Sequence, residues 1–379
     1  MPLTSLRLLV ALGLMAVAVL VLTVRGYRRS RRALVGAAGG VAVLLVLVAG
    51  AAAGVNRHFD LYRSWSELVR PRSADLEPAQ GDRQLAVATS VRSAAVGPGR
   101  GTVLSLRIPP ATSHLHVGGA YVYLPPQYRQ AGHALDQFPV VQAFSGSPGK
   151  PADWLNGINA DAQLDHAIDT GQLAPAIVVF APTNTSVLRS LECTDTADGL
   201  RDETYLTADV RAWVTSHLRT DGHRWAAIGY STGGYCALDL AFRHPGLYDR
   251  AISLDGYGRA LADGYARGLW HSAADRLEHS PDWWVQHHEP EGVSVYLEAG
   301  TSDHGAVRDT LRTWKALTAA GWLTPHDQLL AQRGGRHTFD AWAHAFIPSL
   351  VWALPGPGGS RRELPAQVAL LIRASQHRS

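Results

Sequence analysis

AAIGYSTGGYC, residues 226–236, is an apolar run that stops at Ser231 between two glycine corners. Upstream, RWAAIGY (224–230) reads as a short buried strand, and downstream STGGYCALDLAF has helical spacing. Ser231 therefore stands at a strand–turn–helix junction, inside Gly229-Tyr230-Ser231-Thr232-Gly233, a G-x-S-x-G pattern. So sharp a turn brings strand and helix backbones together and leaves no room for side chains two positions before and after the serine. It projects the hydroxyl into the crevice at the carboxyl end of a sheet, above the positive end of a helix dipole. A bare motif would equally suit a serine helix cap flanked by flexible glycines. The junction favours a nucleophile.

A serine hydroxyl attacks poorly unless a base takes its proton and a carboxylate fixes that base. For this junction the expected chain order is Ser, then Asp or Glu, then His. The strand VSVYLEAG (293–300) ends in Thr301-Ser302-Asp303-His304-Gly305, which puts Asp303 just past its carboxyl end. The last strand, HDQLLAQ (326–332), is followed by Arg333-Gly334-Gly335-Arg336-His337 and then a helix. Asp303 is the expected acid and His337 the expected base. Asp255, after RAISLDG (250–256), is the rival acid, and Glu298 lies inside a strand. Of the 17 histidines, His304 is the nearest competitor, but it precedes the last strand; His223, His287 and His288 have no comparable placement.

The developing alkoxide needs two backbone N–H donors. One is expected from Thr232, immediately after the nucleophile. The other is expected from the loop Ser145-Gly146-Ser147-Pro148-Gly149, where Pro148 has no N–H to give. Ser147 is the choice and Gly146 the alternative.

Around these points, apolar runs alternate with amphipathic stretches. Strands are predicted over 102–108, 115–125, 138–144, 176–182, 224–230, 250–256, 293–300 and 326–332, with helices over 154–169, 203–218, 231–245, 306–321 and 338–354. Two early strands followed by strand–helix repeats predict an α/β fold: a mostly parallel, eight-stranded sheet with helices on both faces. The domain is expected over 102–355, and a polar, basic, flexible tail over 356–379.

The N-terminus differs in kind. Residues 6–24 and 33–53 are apolar runs, each about long enough to cross a ~30 Å hydrocarbon core as a helix. A cleaved signal peptide is the rival for the first, but a basic cluster and a second apolar run follow it. The loop between them carries Arg25, Arg28, Arg29, Arg31 and Arg32. Arginine-rich short loops stay cytoplasmic, which predicts residues 1–54 as a transmembrane hairpin in the cell membrane with the large C-terminal part outside the cytoplasm. Residues 55–69 place Phe59, Tyr62, Trp65 and Leu68 at helical spacing beside the membrane, and 70–101 read as a linker, so 55–101 connect hairpin and domain.

With 46% hydrophobic residues among 379, the chain has ample material for a large core. Its net charge of +3 sits largely in the arginine loop, so no nucleic-acid partner is implied. Cys193 and Cys236, the only thiols, lack zinc-type spacing, which excludes metal catalysis through sulfur ligands. No cofactor is expected. Outside the cytoplasm the two thiols could pair, which would stabilise by ~4 kcal/mol through loop-closure entropy; the alternative is two separate small hydrophobes.

The stretches AYVYLPPQY, FPVVQAFSGSPGKPADW, IGYSTGGYCALDLAFRHPGLYDRAISLDGY, LEAGTSDHG and GGRHTFDAWAHAFIPSLVWAL carry a resemblance. On them, the domain resembles the esterase family of α/β-hydrolases that includes esterase D and the secreted mycolyltransferases. ECTDTADG (192–199) fits its exported, membrane-anchored actinobacterial type. The resemblance implies Ser231 as nucleophile, His337 as base and Asp303 as acid, in agreement with the reading of the residues. The third strand departs from it, ending in AFSG where relatives often carry LxHG or LLDG.

The sequence thus predicts a membrane-tethered serine esterase acting on carboxylic esters, with a lipid or cell-envelope ester as a substrate guess from location. An acyltransferase to a sugar or glycerolipid hydroxyl shares the first half-reaction. A non-catalytic binding module would be marked by a broken triad. The insertion over 257–285, rich in Trp and Tyr, falls where a cap over the site is expected, although its aromatics suit packing equally well.

Overall fold

The computed structural model describes residues 3, 5–30, 33–59, 65, 99–185, 189–262, 268–357 and 367–376. The chain forms two compact units, one holding the N-terminal helices and one the globular fold. In the first, helices α1 (Leu6–Ser30) and α2 (Ala33–Phe59) pack against each other. Both are long and apolar enough to cross a membrane. The second helix runs past the expected boundary at 53, and most of the segment 55–101 lies outside the described residues.

The globular unit is built on eight strands: β1 (Thr102–Leu106), β2 (Ala120–Leu124), β3 (Val140–Phe144), β4 (Ile177–Phe180), β5 (Trp225–Tyr230), β6 (Tyr248–Leu254), β7 (Ser294–Gly300) and β8 (Gln328–Gln332). They form one sheet in the order β1-β2-β4-β3-β5-β6-β7-β8. β2 pairs antiparallel with both β1 and β4, and every other pair is parallel. The sheet is mixed, with β2 alone running against the other seven. β4 and β5 are buried along their whole length, as expected of central strands covered on both faces.

The crossovers are helical: α3 (Ala152–Asn156), α4 (Ala160–Asp169), α5 (Val210–His217), α6 (Thr232–Arg243), α7 (Ala273–Glu278), α8 (Pro281–Trp284) and α9 (His304–Ala320). α10 (Phe339–Ala353) follows the last strand. The helix predicted over 154–169 is broken, because Asn159 takes a left-handed conformation (φ 62°) that ends one helix before the next begins. A π-helical turn, Tyr205–Asp209, leads into α5. The strand predicted over 115–125 starts only at Ala120, since Gly118 and Gly119 offer no side chains to pack on a sheet.

The expected flexible tail is corrected in part. Residues Val368–Gln376 form α11, with Leu371 fully buried and Ala374 nearly so. Just before it, the Gln367 N–H donates to Leu329 O at 2.8 Å, and its Oε1 accepts from the Ala331 N–H at 3.1 Å. The tail thus continues the pairing at the β8 edge, which would otherwise end in open hydrogen-bonding groups. Its VALLI run opens that helix, with Leu371 turned inward and Ile372 exposed.

Candidate active site

Strand register gathers the site. Phe144 of β3 lies opposite Gly229 of β5, Tyr230 opposite Leu254 of β6, and Gly300 of β7 opposite Gln332 of β8. The segments 145–149, 301–303 and 333–337, with Ser231 and Asp255, therefore leave the sheet along one carboxyl edge.

Ser231 has φ 55° and ψ −124°, a conformation that side-chain-bearing residues rarely adopt. Its N–H is anchored to Leu254 O at 2.9 Å. The two glycines are sterically required. A Cβ on Gly229 would sit 2.0 Å from the Gly233 carbonyl, and one on Gly233 would sit 2.0 Å from Phe144 O. The half-buried hydroxyl of Ser231 lies 2.9 Å from His337 Nε2, and His337 Nδ1 lies 2.5 Å from Asp303 Oδ2. A carboxylate can only accept, so Nδ1 carries the proton and Nε2 is left to accept from the serine. Asp303 also caps α9, its Oδ1 accepting from the Ala306 N–H at 3.0 Å.

The electrostatics follow from these contacts. Burial pushes the Asp303 carboxyl up, but the His337 hydrogen bond, the N–H groups of Ala306 and Gly305 and the imidazole's charge outweigh it and hold the group below its ordinary value. Burial pushes His337 down, yet the hydrogen bond and charge of Asp303, with the charge of Asp255, raise it above its ordinary value.

The rivals are engaged elsewhere. Asp255 Oδ1 accepts from the Gly300 N–H at 2.7 Å and Oδ2 from Trp342 Nε1 at 2.9 Å. Glu298 accepts from the Tyr296 hydroxyl at 2.7 Å. His304 Nδ1 bonds to Ala374 O of the tail helix at 3.0 Å.

Thr232 is the first residue of α6, where a backbone N–H has no acceptor within its own helix. Across from it, Gly146 packs on the serine: a Cβ there would lie 3.1 Å from Ser231 Cβ and 2.9 Å from the Tyr230 ring. Ser147, the next residue, is half-buried.

The Esterase family model, described as "Putative esterase", matches residues 118–355. The chain belongs to this esterase family. An uncharacterized protein of Corynebacterium glutamicum is 26% identical over 259 residues, which are 64% of this chain. The match spans 58% of that relative's own length. Among solved structures, a ferulic acid esterase superposes with a TM-score of 0.57 at 17% identity, over 67% of this chain and 98% of its own. An S-formylglutathione hydrolase from Agrobacterium tumefaciens does so with a TM-score of 0.55 at 16% identity, over 69% and 98%. At these identities the likeness shows the fold.

Three surroundings of the site were not legible in the sequence. Trp342 stands edge-on to His337 (centroids 5.0 Å apart, planes at 87°) and stacks on Tyr230 at 4.4 Å. The aromatic helix after His337 was the only signal. Tyr257, at the start of the 257–285 insertion, places its hydroxyl 2.8 Å from Glu192 and 3.4 Å from Thr232 Oγ1. Glu192 itself is buried and left-handed (φ 51°), as is its neighbour Cys193 (φ 52°), which forms a disulfide with Cys236. Elsewhere in the insertion Trp283 stacks on the exposed His287, while two other tryptophans turn inward. Trp284 stacks on Phe242 of α6, and Trp270 donates to Leu261 O.

Proposed function

We propose that the chain is a membrane-tethered serine esterase, acting outside the cytoplasm on carboxylic esters through Ser231, His337 and Asp303. The observation that carries this is the continuous hydrogen-bonded line Ser231–His337–Asp303, with the serine on a strained turn at the start of α6. His337 Nε2 takes the serine proton as Oγ attacks the ester carbonyl. Asp303 holds the imidazole's tautomer and stabilises the imidazolium. The N–H groups of Thr232 and Ser147 receive the oxyanion. Gly146, which packs against the serine, is the alternative to Ser147 as second donor. His337 then protonates the departing alcohol, and water, activated by the same imidazole, releases the acyl group from Ser231.

Two observations support the outward placement. The arginine loop at 25–32 belongs on the cytoplasmic side of a helical hairpin, which sends both outer ends across the membrane. The Cys193–Cys236 disulfide suits an oxidising compartment. A substrate drawn from the bilayer or envelope follows from such a tether.

The test uses the full chain in detergent with p-nitrophenyl esters of graded acyl length, beside Ser231→Ala. Turnover should fall by about 10⁵-fold or more in the variant, and a fluorophosphonate should label the wild type alone. A membrane-impermeant version of that probe should label intact cells. Absence of both turnover and labelling would overturn the esterase reading in favour of a binding module. Labelling of lysed cells only would overturn the outward placement. Adding a sugar or glycerolipid acceptor distinguishes hydrolysis from acyl transfer by the product formed.

A further inference from the structure

The proposed chemistry employs Asp303 and leaves a second buried carboxylate beside the base without a task. Asp255 follows β6 in a left-handed conformation, φ 50°, and is buried. Holding an aspartate there stores strain, which persists only where the surroundings enforce it. The enforcing contacts are the Gly300 N–H on one carboxyl oxygen and the Trp342 indole N–H on the other. Trp342 carries the link onward, edge-on to His337 and stacked on the residue before the nucleophile. One oxygen of each acid and a ring nitrogen of His337 lie within 4.8 Å of one another.

The bonding says which form Asp255 takes. Two N–H donors aimed at two oxygens match a carboxylate, whereas a protonated carboxyl would turn an O–H against one of them. Burial opposes this and, outweighing the Gly300 N–H and the charge of His337, leaves the group raised to about 7. The carboxylates acting on the imidazole come from two different elements: Asp303 at the start of α9 and Asp255 after β6. Nearest to Asp255 in turn are the charges of His337 and Asp303.

Resting on the Ser231–His337 reading, we infer that Asp255 is a positioning residue of the same reaction. Through Trp342 it fixes the plane of the His337 ring, and its charge joins that of Asp303 in stabilising the imidazolium formed during attack. A single carboxylate must offset both the desolvation of the ring and the charge it gains. Two share that task, one bonded to Nδ1 and one acting through space and through the indole. A merely structural Asp255, pinning Gly300 and Trp342, would alter stability and leave the base's proton affinity alone.

The experiment compares full-length wild type with D255N and D255S, each in detergent, by kcat/KM against pH on a p-nitrophenyl ester. D255S is the smaller neutral variant and avoids turning an amide N–H₂ toward the Gly300 N–H. Because the base must be neutral and Asp255 titrates beside it, the wild-type acidic limb reports the pair and that of either variant reports His337 alone. In the wild type that limb should lie above the ordinary histidine value of about 6.5. In either variant it should move down by about one pH unit, with plateau kcat reduced roughly tenfold and KM little changed. A variant that folds and labels with fluorophosphonate but keeps the wild-type limb overturns the inference. If neither variant folds, a wild-type limb at or below about 6.5 overturns it. A wild type with no turnover and no labelling at Ser231 instead defeats the esterase reading, a separate result.

Discussion

Cys236 lies five residues beyond Ser231 on α6, and its sulfur is bonded to Cys193, next to the buried Glu192. The helix that carries the proposed nucleophile is thereby tied to a segment 43 residues upstream, one that also reaches Tyr257 through Glu192. Closing a loop of that length removes about 4 kcal/mol of unfolded-state entropy. Replacing both cysteines by alanine should lower the thermal midpoint by roughly 10 °C. Scanning calorimetry of the variant, and of wild type under reductant, checks this. An unchanged midpoint would mean the bridge contributes nothing.

Glu192 supplies a pH dependence with a definite sign. Burial pushes it up to about 7, against hydrogen bonds from Tyr257, Ser190 and the Leu261 N–H that favour the charged form. The folded protein therefore holds this proton more tightly than the unfolded chain. The stabilisation is complete at acidic pH and is lost as pH rises from the ordinary carboxylate range to about 7. Glu192→Gln lacks that loss. Its stability relative to wild type should improve by on the order of 2–3 kcal/mol between about pH 4 and about pH 8. Denaturant titrations of the two proteins at both pH values measure it, and a difference independent of pH would contradict the argument.

Gly229 tests the steric reading of the nucleophile turn. A Cβ at this position meets backbone at 2.0 Å, and backbone cannot swing aside as a side-chain tip could. Gly229→Ala should push Ser231 out of line with His337 and cut kcat by about 100-fold or more, with a clear loss of soluble yield. Near-normal turnover would show that the strand and helix can separate.

The tail helix supports the strand that leads to His337. Deleting residues 358–379 removes the buried Leu371 and the two hydrogen bonds of Gln367 to β8. The expected cost is about 3–5 kcal/mol, seen as a lower urea midpoint, with kcat reduced more than KM. A truncated protein of full stability would return the tail to a dispensable role.

Much of this architecture was legible from local patterns. Apolar runs bounded by turn residues placed all eight strands, because a buried strand needs continuous apolar side chains whatever it later pairs with. The G-x-S-x-G junction, and Asp303 and His337 just past their strand ends, were readable for the same reason. Such positions are fixed by backbone geometry within a few residues. What lay between helices was less legible, as at Asn159, where one left-handed residue splits an otherwise helical pattern.

The tertiary structure decided how the two acids divide their contacts around the histidine. Asp303 and Asp255 both follow strands at the same sheet edge, and the sequence could only rank Asp303 ahead of Asp255 as the expected acid. Strand register and a few ångströms of side-chain reach put Asp303 on His337 Nδ1 and Asp255 on Trp342 and Gly300. The pairing of Cys193 with Cys236, the contact of Tyr257 with Glu192 and the docking of the tail on β8 are of the same kind. The sequence by itself determined the strands, the order of the reactive residues and the apolar N-terminal helices, all set by short-range sterics and hydrophobic period. The partners of each buried polar group were decided by folding, since they join residues that the chain's local chemistry never compares.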